Sequence, residues 1–202
     1  MPSPVSSPLP PSARRPATDE RILDVAERLV QTRGFNGFSY ADIAAELRVT
    51  KASLHYHFRS KAELGRRLIG RYHDRFQRAL DGIEREAHDA PRTLERYARL
   101  YGDVLRNQRI CLCGMLASDY ATLPKPMKDL VNQFFDANER WLARVLDEGR
   151  KAGTLHFSGA PSETARVLVA SLEGAMLVAR SYADTARFDS AARRLVAQLA
   201  GK

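Results

Sequence analysis

The 202-residue chain is 44% hydrophobic and 28% charged, and its 32 Lys and Arg against 24 Asp and Glu leave a net charge of +8, a basic excess that favours a polyanionic partner without naming one. No apolar run approaches the ~18 residues of a membrane span, and the Pro/Ser-rich start lacks the apolar centre of a signal peptide. Cys111 and Cys113 are too few and too close for a disulfide framework, so a reducing cytoplasm is expected.

Residues 1–17 hold six of the ten prolines and read as a disordered tail, in which Arg14 and Arg15 are either solvated or touch a nucleic-acid backbone. From Thr18 onward the pattern is helical. Ile22, Val25, Ala26, Leu29 and Val30 repeat at helical spacing, and Gly34 stands where a left-handed C-cap belongs. Ser39 opens a short helix carrying Ile43, Ala44 and Leu47, with Asp42 as an imperfect capping-box partner. After a turn at Arg48 and Val49, Thr50 caps a second short helix, Lys51 to His57, that buries Leu54. Ser60 and Glu63 form a capping box for a long helix reaching about Ala87. Leu94, Tyr97, Ala98, Tyr101, Val104 and Leu105 mark the next element, followed by a shorter one over roughly 110–120. Pro124 and Pro126 open another, striped by Met127, Val131, Phe134, Trp141 and Val145 and stopped at Gly153. Pro161 starts a further helix, and Ser190 to Leu199 forms the last. No useful alternating pattern of a strand occurs, so the fold class is all-α.

Two short helices joined by a tight turn and braced on both sides form a helix-turn-helix. On the second, Leu54 faces inward and Phe58 closes the unit. Thr50, Lys51, Ala52, Ser53, His55 and Tyr56 then have no core to fill. Small and hydrogen-bonding side chains at a helix start let its backbone approach a major groove. Lys51 suits guanine, Ala52 a thymine methyl, and Ser53 a base or a phosphate. Ser39 and Lys61 stand at helix starts, where N–H groups and the helix dipole favour phosphate. Residues 1–75 carry 13 basic and 8 acidic residues against 19 and 16 in 76–202, so the charge excess concentrates at this end.

The stretch from Phe35 to Leu64, through Ser39, Ile43, Leu47, Val49, Ser53, Phe58 and Lys61, resembles the DNA-binding domain of the TetR family of bacterial transcriptional repressors. The family commonly carries Leu-Tyr-x-His-Phe here, whereas this chain has Leu54-His55-Tyr56-His57-Phe58, so the phosphate contact of the first aromatic falls to His55 or Tyr56. The resemblance implies a helix-turn-helix domain over 18–64 and a helical effector-binding and dimerisation domain over 65–202. It also implies a homodimer on a palindromic operator, with the last two helices as interface. Small residues Ala165, Ala170, Ser171, Gly174, Ala175 and Ala179 interleaved with Val167, Leu168, Leu172, Met176 and Leu177 support that interface independently. Ala170, Gly174, Leu177 and Leu195 are its candidate residues.

Residues 109–119 are similar to a segment of the electrophile- and hypochlorite-responsive subgroup of that family, in which a cysteine matching Cys111 is the sensor. Arg109 and a helix start should both lower the Cys111 pKa and favour the thiolate. Two other readings stay open: Cys111 and Cys113 as buried, inert side chains, or as metal ligands, for which a lone CxC is weak support. Tyr97, Tyr101, Met115, Phe134 and Trp141 are candidates to border an effector cavity, with core packing as the alternative. No cofactor, catalytic group or metal site is expected. The rival classes are a thiol enzyme built on Cys111 and a helical interaction protein. The favoured reading is a cytoplasmic, non-enzymatic repressor that binds double-stranded DNA and is released by a small molecule or a reactive electrophile, without contact to a membrane.

Overall fold

A computed structural model describes residues 18–201; the tail with Arg14 and Arg15 lies outside them. Among the described residues the regular structure is helical: α1 Thr18–Arg33, α2 Tyr40–Leu47, α3 Lys51–His57, α4 Lys61–Glu86, α5 Ala90–Arg106, α6 Leu112–Ser118, α7 Lys125–Lys151, α8 Pro161–Ser181 and α9 Thr185–Leu199. Among these described residues no helix is long and apolar enough to cross a membrane.

Local chemistry sets most boundaries. Gly34 ends α1 at φ +80°, a left-handed conformation that glycine adopts without strain. At the start of α2 the Ser39 hydroxyl accepts from Ala41 N, and Asp42 accepts from Ser39 N at 2.7 Å, a complete capping box. Thr50 Oγ1 accepts from Ser53 N at 3.2 Å and starts α3. Ser60 does the same for Glu63 N at 3.1 Å on α4.

Two boundaries differ from the sequence reading. The last helix starts at Thr185 rather than Ser190, because Asp184 accepts from Ala186 N at 2.9 Å and Phe188 is buried in the following turn. A single aromatic in the five residues 185–189 leaves too little periodicity to register. The shorter central helix ends at Ser118 and continues as a 3-10 turn over Tyr120–Thr122. There the Asp119 carboxylate turns away to accept from Phe35 N at 2.6 Å and Asn36 N at 3.4 Å.

The core has two lobes in continuity. Ile22, Leu29, Ile43, Leu54, Phe58 and Leu64 fill the head formed by α1–α3 and the start of α4. Tyr97, Phe134, Leu142, Leu146, Leu172 and Phe188 fill the body formed by the rest. The head rests on α6 and on the end of α8, and these contacts fix where α3 points.

Candidate nucleic-acid interface and central cavity

Burial of Leu54 at 1% exposure locks α3 to the head, so the residues flanking it must face outward. Lys51, Ala52, His55 and Tyr56 are exposed and Ser53 is half-buried. Tyr56 is the most prominent, at 86% exposure. The other predicted contacts are more committed. The Ser39 and Thr50 hydroxyls serve as caps, as above. His55 lies against the Tyr40 ring at 4.8 Å between centroids, with Nδ1 3.4 Å from the Arg59 carbonyl. Tyr40 itself donates to the Phe58 carbonyl at 2.9 Å, and its phenol is pushed up to about 12 by burial first and by Glu63 second. Of the two candidates for the missing aromatic contact, Tyr56 is the one standing free of the head.

Lys61 stands at the start of α4, as expected, and its ammonium donates to the carbonyls of Phe35, at 2.5 Å, and Phe38. It lies 4.7 and 4.1 Å from the centres of those two rings. Burial holds its pKa below the usual lysine range. Lys61 therefore ties the α1–α2 loop to α4, and only main-chain N–H groups at that helix start remain for a phosphate.

The seam between head and body carries contacts that no sequence pattern announced. Arg180 of α8 donates to the carbonyls of Gln31 and Thr32 at 2.9 and 2.7 Å. Asn36 donates to Thr122 Oγ1 at 2.8 Å. Arg71 of α4 gathers Glu20, Asp24 and Glu27 of α1 at 3.0, 2.7 and 2.9 Å, and Arg75 also pairs with Glu27.

On α8, Val167, Ala170, Gly174, Leu177 and Val178 form an outward stripe that continues to the exposed Tyr182 just past its end, while Ala165, Leu168, Leu172 and Met176 face the core. A side chain added at Gly174 would meet open space. Leu195, the candidate on α9, is half-buried and packs against the core.

A cavity of about 300 Å³ opens between α1, α4, α5, α8 and the segment that leads into α6, lined by Tyr72, Phe76, Tyr101, Cys111 and Met176, with Glu27, Gln31, Arg75, Asp103 and Arg109 among its polar residues. Of the predicted effector residues, Tyr101 and Cys111 line it. Tyr97, Met115, Trp141, Phe134 and Cys113 do not. Tyr97 shares a 2.9 Å hydrogen bond with the Tyr101 hydroxyl and stacks on Trp141 at 5.6 Å, so both belong to the packed wall behind it.

The expected activation of Cys111 is reversed. The thiol is buried, accepts from the Tyr72 hydroxyl at 3.7 Å, and stands beside the Glu173 carboxyl. Burial, and then that carboxyl, push its pKa well above the ordinary thiol value; burial does the same to Cys113, again with Glu173 second. Glu173 was missed in the sequence because one acidic residue in a helix reads as solvated.

Residues 22–68 match the family described as bacterial regulatory proteins, tetR family, and residues 90–195 match the tetracyclin repressor-like C-terminal domain. The chain is 29% identical to the HTH-type transcriptional repressor NemR of Escherichia coli K12 over 169 residues, 81% of this chain and 84% of NemR. The crystal structure of reduced E. coli NemR superposes with a TM-score of 0.79 at 25% identity, over 91% of this chain and 98% of that one. A TetR-family regulator from Agrobacterium tumefaciens superposes with a TM-score of 0.87 at 30% identity, over 90% and 97%.

Proposed function

The chain belongs to the tetR family of bacterial regulatory proteins, DNA-binding transcriptional repressors, and from that premise we propose a homodimer that reads a palindromic operator through α3 and is released by a small molecule in the central cavity. The observation that carries the reading is the division of α3, with Leu54 buried and Lys51, Ala52, His55 and Tyr56 presented outward. Residues 18–64 are the reader and 65–202 the effector and dimerisation unit. One reader spans too few base pairs for specificity in a genome. Two related by a dyad place their helices in successive major grooves, ~34 Å apart. The outward apolar stripe of α8 is the surface that pairs them. This reading places the protein in the cytoplasm without an enzymatic role.

Retarded migration of the DNA upstream of the protein's own reading frame tests it. Retardation should vanish in Lys51→Ala while the circular dichroism spectrum is kept. Unchanged retardation removes α3 as the reader.

A second reading of the inducer is an electrophile or oxidant acting on Cys111, favoured by the similarity of residues 109–119 to electrophile-responsive regulators. Burial beneath Tyr72 and beside Glu173 weighs against it, since the reactive species is the thiolate. Operator release by a quinone that Cys111→Ser abolishes would establish this reading instead.

A further inference from the structure

The central cavity joins an apolar wall to an unbalanced set of charges. Two carboxylates and two guanidiniums stand on its lining: Glu27, Asp103, Arg75 and Arg109. Both carboxylates are engaged. Glu27 accepts from Arg71 at 2.9 Å and from Arg75, and Asp103 accepts from Arg106 of its own helix at 2.8 Å. Arg75 is therefore matched by Glu27. Arg109, half-buried in the segment between α5 and α6, is not: among the described residues its guanidinium meets no carboxylate and no other acceptor.

A hydroxyl hydrogen on the same side of the balance also lacks an acceptor. Tyr97 and Tyr101 share one hydrogen bond of 2.9 Å, which uses one of their two hydroxyl hydrogens. No group among the described residues accepts the other, although both side chains are buried. Tyr101 is the member of the pair on the lining. Tyr72, Phe76 and Met176 continue the wall, with ring centres of Phe76 and Tyr101 6.1 Å apart. Unused N–H groups of a guanidinium beside such a wall recognise a carboxylate carried on an apolar body. One unmatched guanidinium balances one negative charge, which favours a carboxylate over a phosphate monoester near −2.

We propose that the central cavity takes a small apolar monocarboxylate, with Arg109 as its counter-ion and Tyr72, Phe76 and Tyr101 as the wall around its body. This names the ligand class for the proposed inducer site, and it rests on that reading only for the consequence at the operator. A volume of about 300 Å³ suits one ring and a short acid chain. Glu27 and Gln31 of the lining belong to α1, so a ligand that fills the cavity lies against the first helix of the head.

The test uses the full chain and three probes of similar shape: phenylacetate, its neutral isostere phenylacetamide, and protonated phenethylamine. Binding is followed by calorimetry and by the emission of Trp141, the only tryptophan, which stacks on Tyr97 behind the wall. The carboxylate should bind on the order of 10–100-fold more tightly than the amide, and the ammonium more weakly than either. Arg109→Met should erase the preference for the carboxylate while keeping binding of the amide, which also reports that the cavity is intact. Arg85→Met removes an equal charge from an exposed position of α4 outside the lining. It should leave the preference as it is, which separates a built site from the net charge of the chain. Ala79→Phe, on the lining, fills the cavity and should abolish binding of both. Several results overturn the proposal: no binding of the carboxylate at millimolar concentration, equal binding of carboxylate and amide, or preference for the ammonium. Full preference in Arg109→Met, an equal loss in Arg85→Met, or undiminished binding in Ala79→Phe does the same. Operator retardation is measured separately. A carboxylate that binds in the Arg109-dependent manner without releasing DNA refutes the inducer reading alone. A neutral ligand that releases DNA from a protein indifferent to the carboxylate refutes the carboxylate proposal alone.

Discussion

Arg180, near the end of α8, donates from Nη1 to the carbonyl of Gln31 in the last turn of α1, across 149 residues of chain and 2.9 Å of space. Its Nη2 reaches the carbonyl of Thr32 in the same way. The C-terminal carbonyls of a helix have no partners within it, and here the helix of the outward apolar stripe supplies them. Arg180→Ala leaves the Thr32 carbonyl without its donor and the Gln31 carbonyl with Ile110 N alone, at 3.2 Å, and should cost about 1–3 kcal/mol. Urea denaturation measures the cost, and hydrogen exchange should show faster amide exchange in the last turn of α1 and the loop after it. Unchanged exchange there would mean that water replaces the guanidinium at no cost.

Lys51 and Lys61 share a residue type and a position at a helix start, yet should behave oppositely. Lys51→Ala should weaken operator binding and reduce the slope of log K against log salt by about 1. Lys61→Met should leave that slope unchanged, because its ammonium lies over Phe35 and Phe38 rather than toward DNA. It should instead lower Tm by removing a donor from two carbonyls. Operator titrations at several salt concentrations, beside thermal melts, separate the two.

Glu173 makes stability fall as pH rises. Burial raises its pKa from 4.5 to about 7, so the folded protein holds a proton that the unfolded chain has lost. The group is neutral in both states below pH 4.5 and carries no penalty there. The penalty grows from about pH 4.5 and is complete above about pH 7, on the order of 3 kcal/mol. Glu173→Gln should therefore be more stable than the parent at pH 8 and about equal to it at pH 4.5. A constant difference in unfolding free energy across that range would show that Glu173 does not titrate in the fold.

Leu54→Ala should cost about 2–5 kcal/mol, the range for a buried leucine whose cavity cannot fully collapse. The loss should concentrate in the head, since Leu54 packs there at 1% exposure. Limited proteolysis within residues 18–64 under conditions where the body resists would demonstrate it.

Leu177→Arg places a charge in the middle of the outward stripe of α8, where Leu177 is 49% exposed. Light scattering at micromolar concentration should show a monomer that keeps its helical content and loses tight operator binding. A dimer that persists would move the interface elsewhere.

What could be read from the residues alone was whatever is decided within a few positions of chain. The capping box at Ser39, the Thr50 and Ser60 caps, the glycine at position 34, and the spacing of Ile43, Leu54 and Phe58 are local hydrogen-bond and periodicity signals, and they were sufficient for the all-α class and the helix-turn-helix; the box expected at Ser60 is half closed, since Glu63 accepts from Arg59 N instead. The start of α9 escaped because Phe188 alone marks its first turn. Only the tertiary structure decided which chemically equivalent groups were free. Lys61 looks like Lys51 until the Phe35 and Phe38 rings close over it, and Cys111 looks activated by Arg109 until Tyr72 and Glu173 surround it. Glu173 looks like any surface carboxylate until α6 is laid against it. Charge and reactivity depend on solvation and on neighbours distant in sequence, whereas helix caps and periodicity depend on the next turn of the same chain.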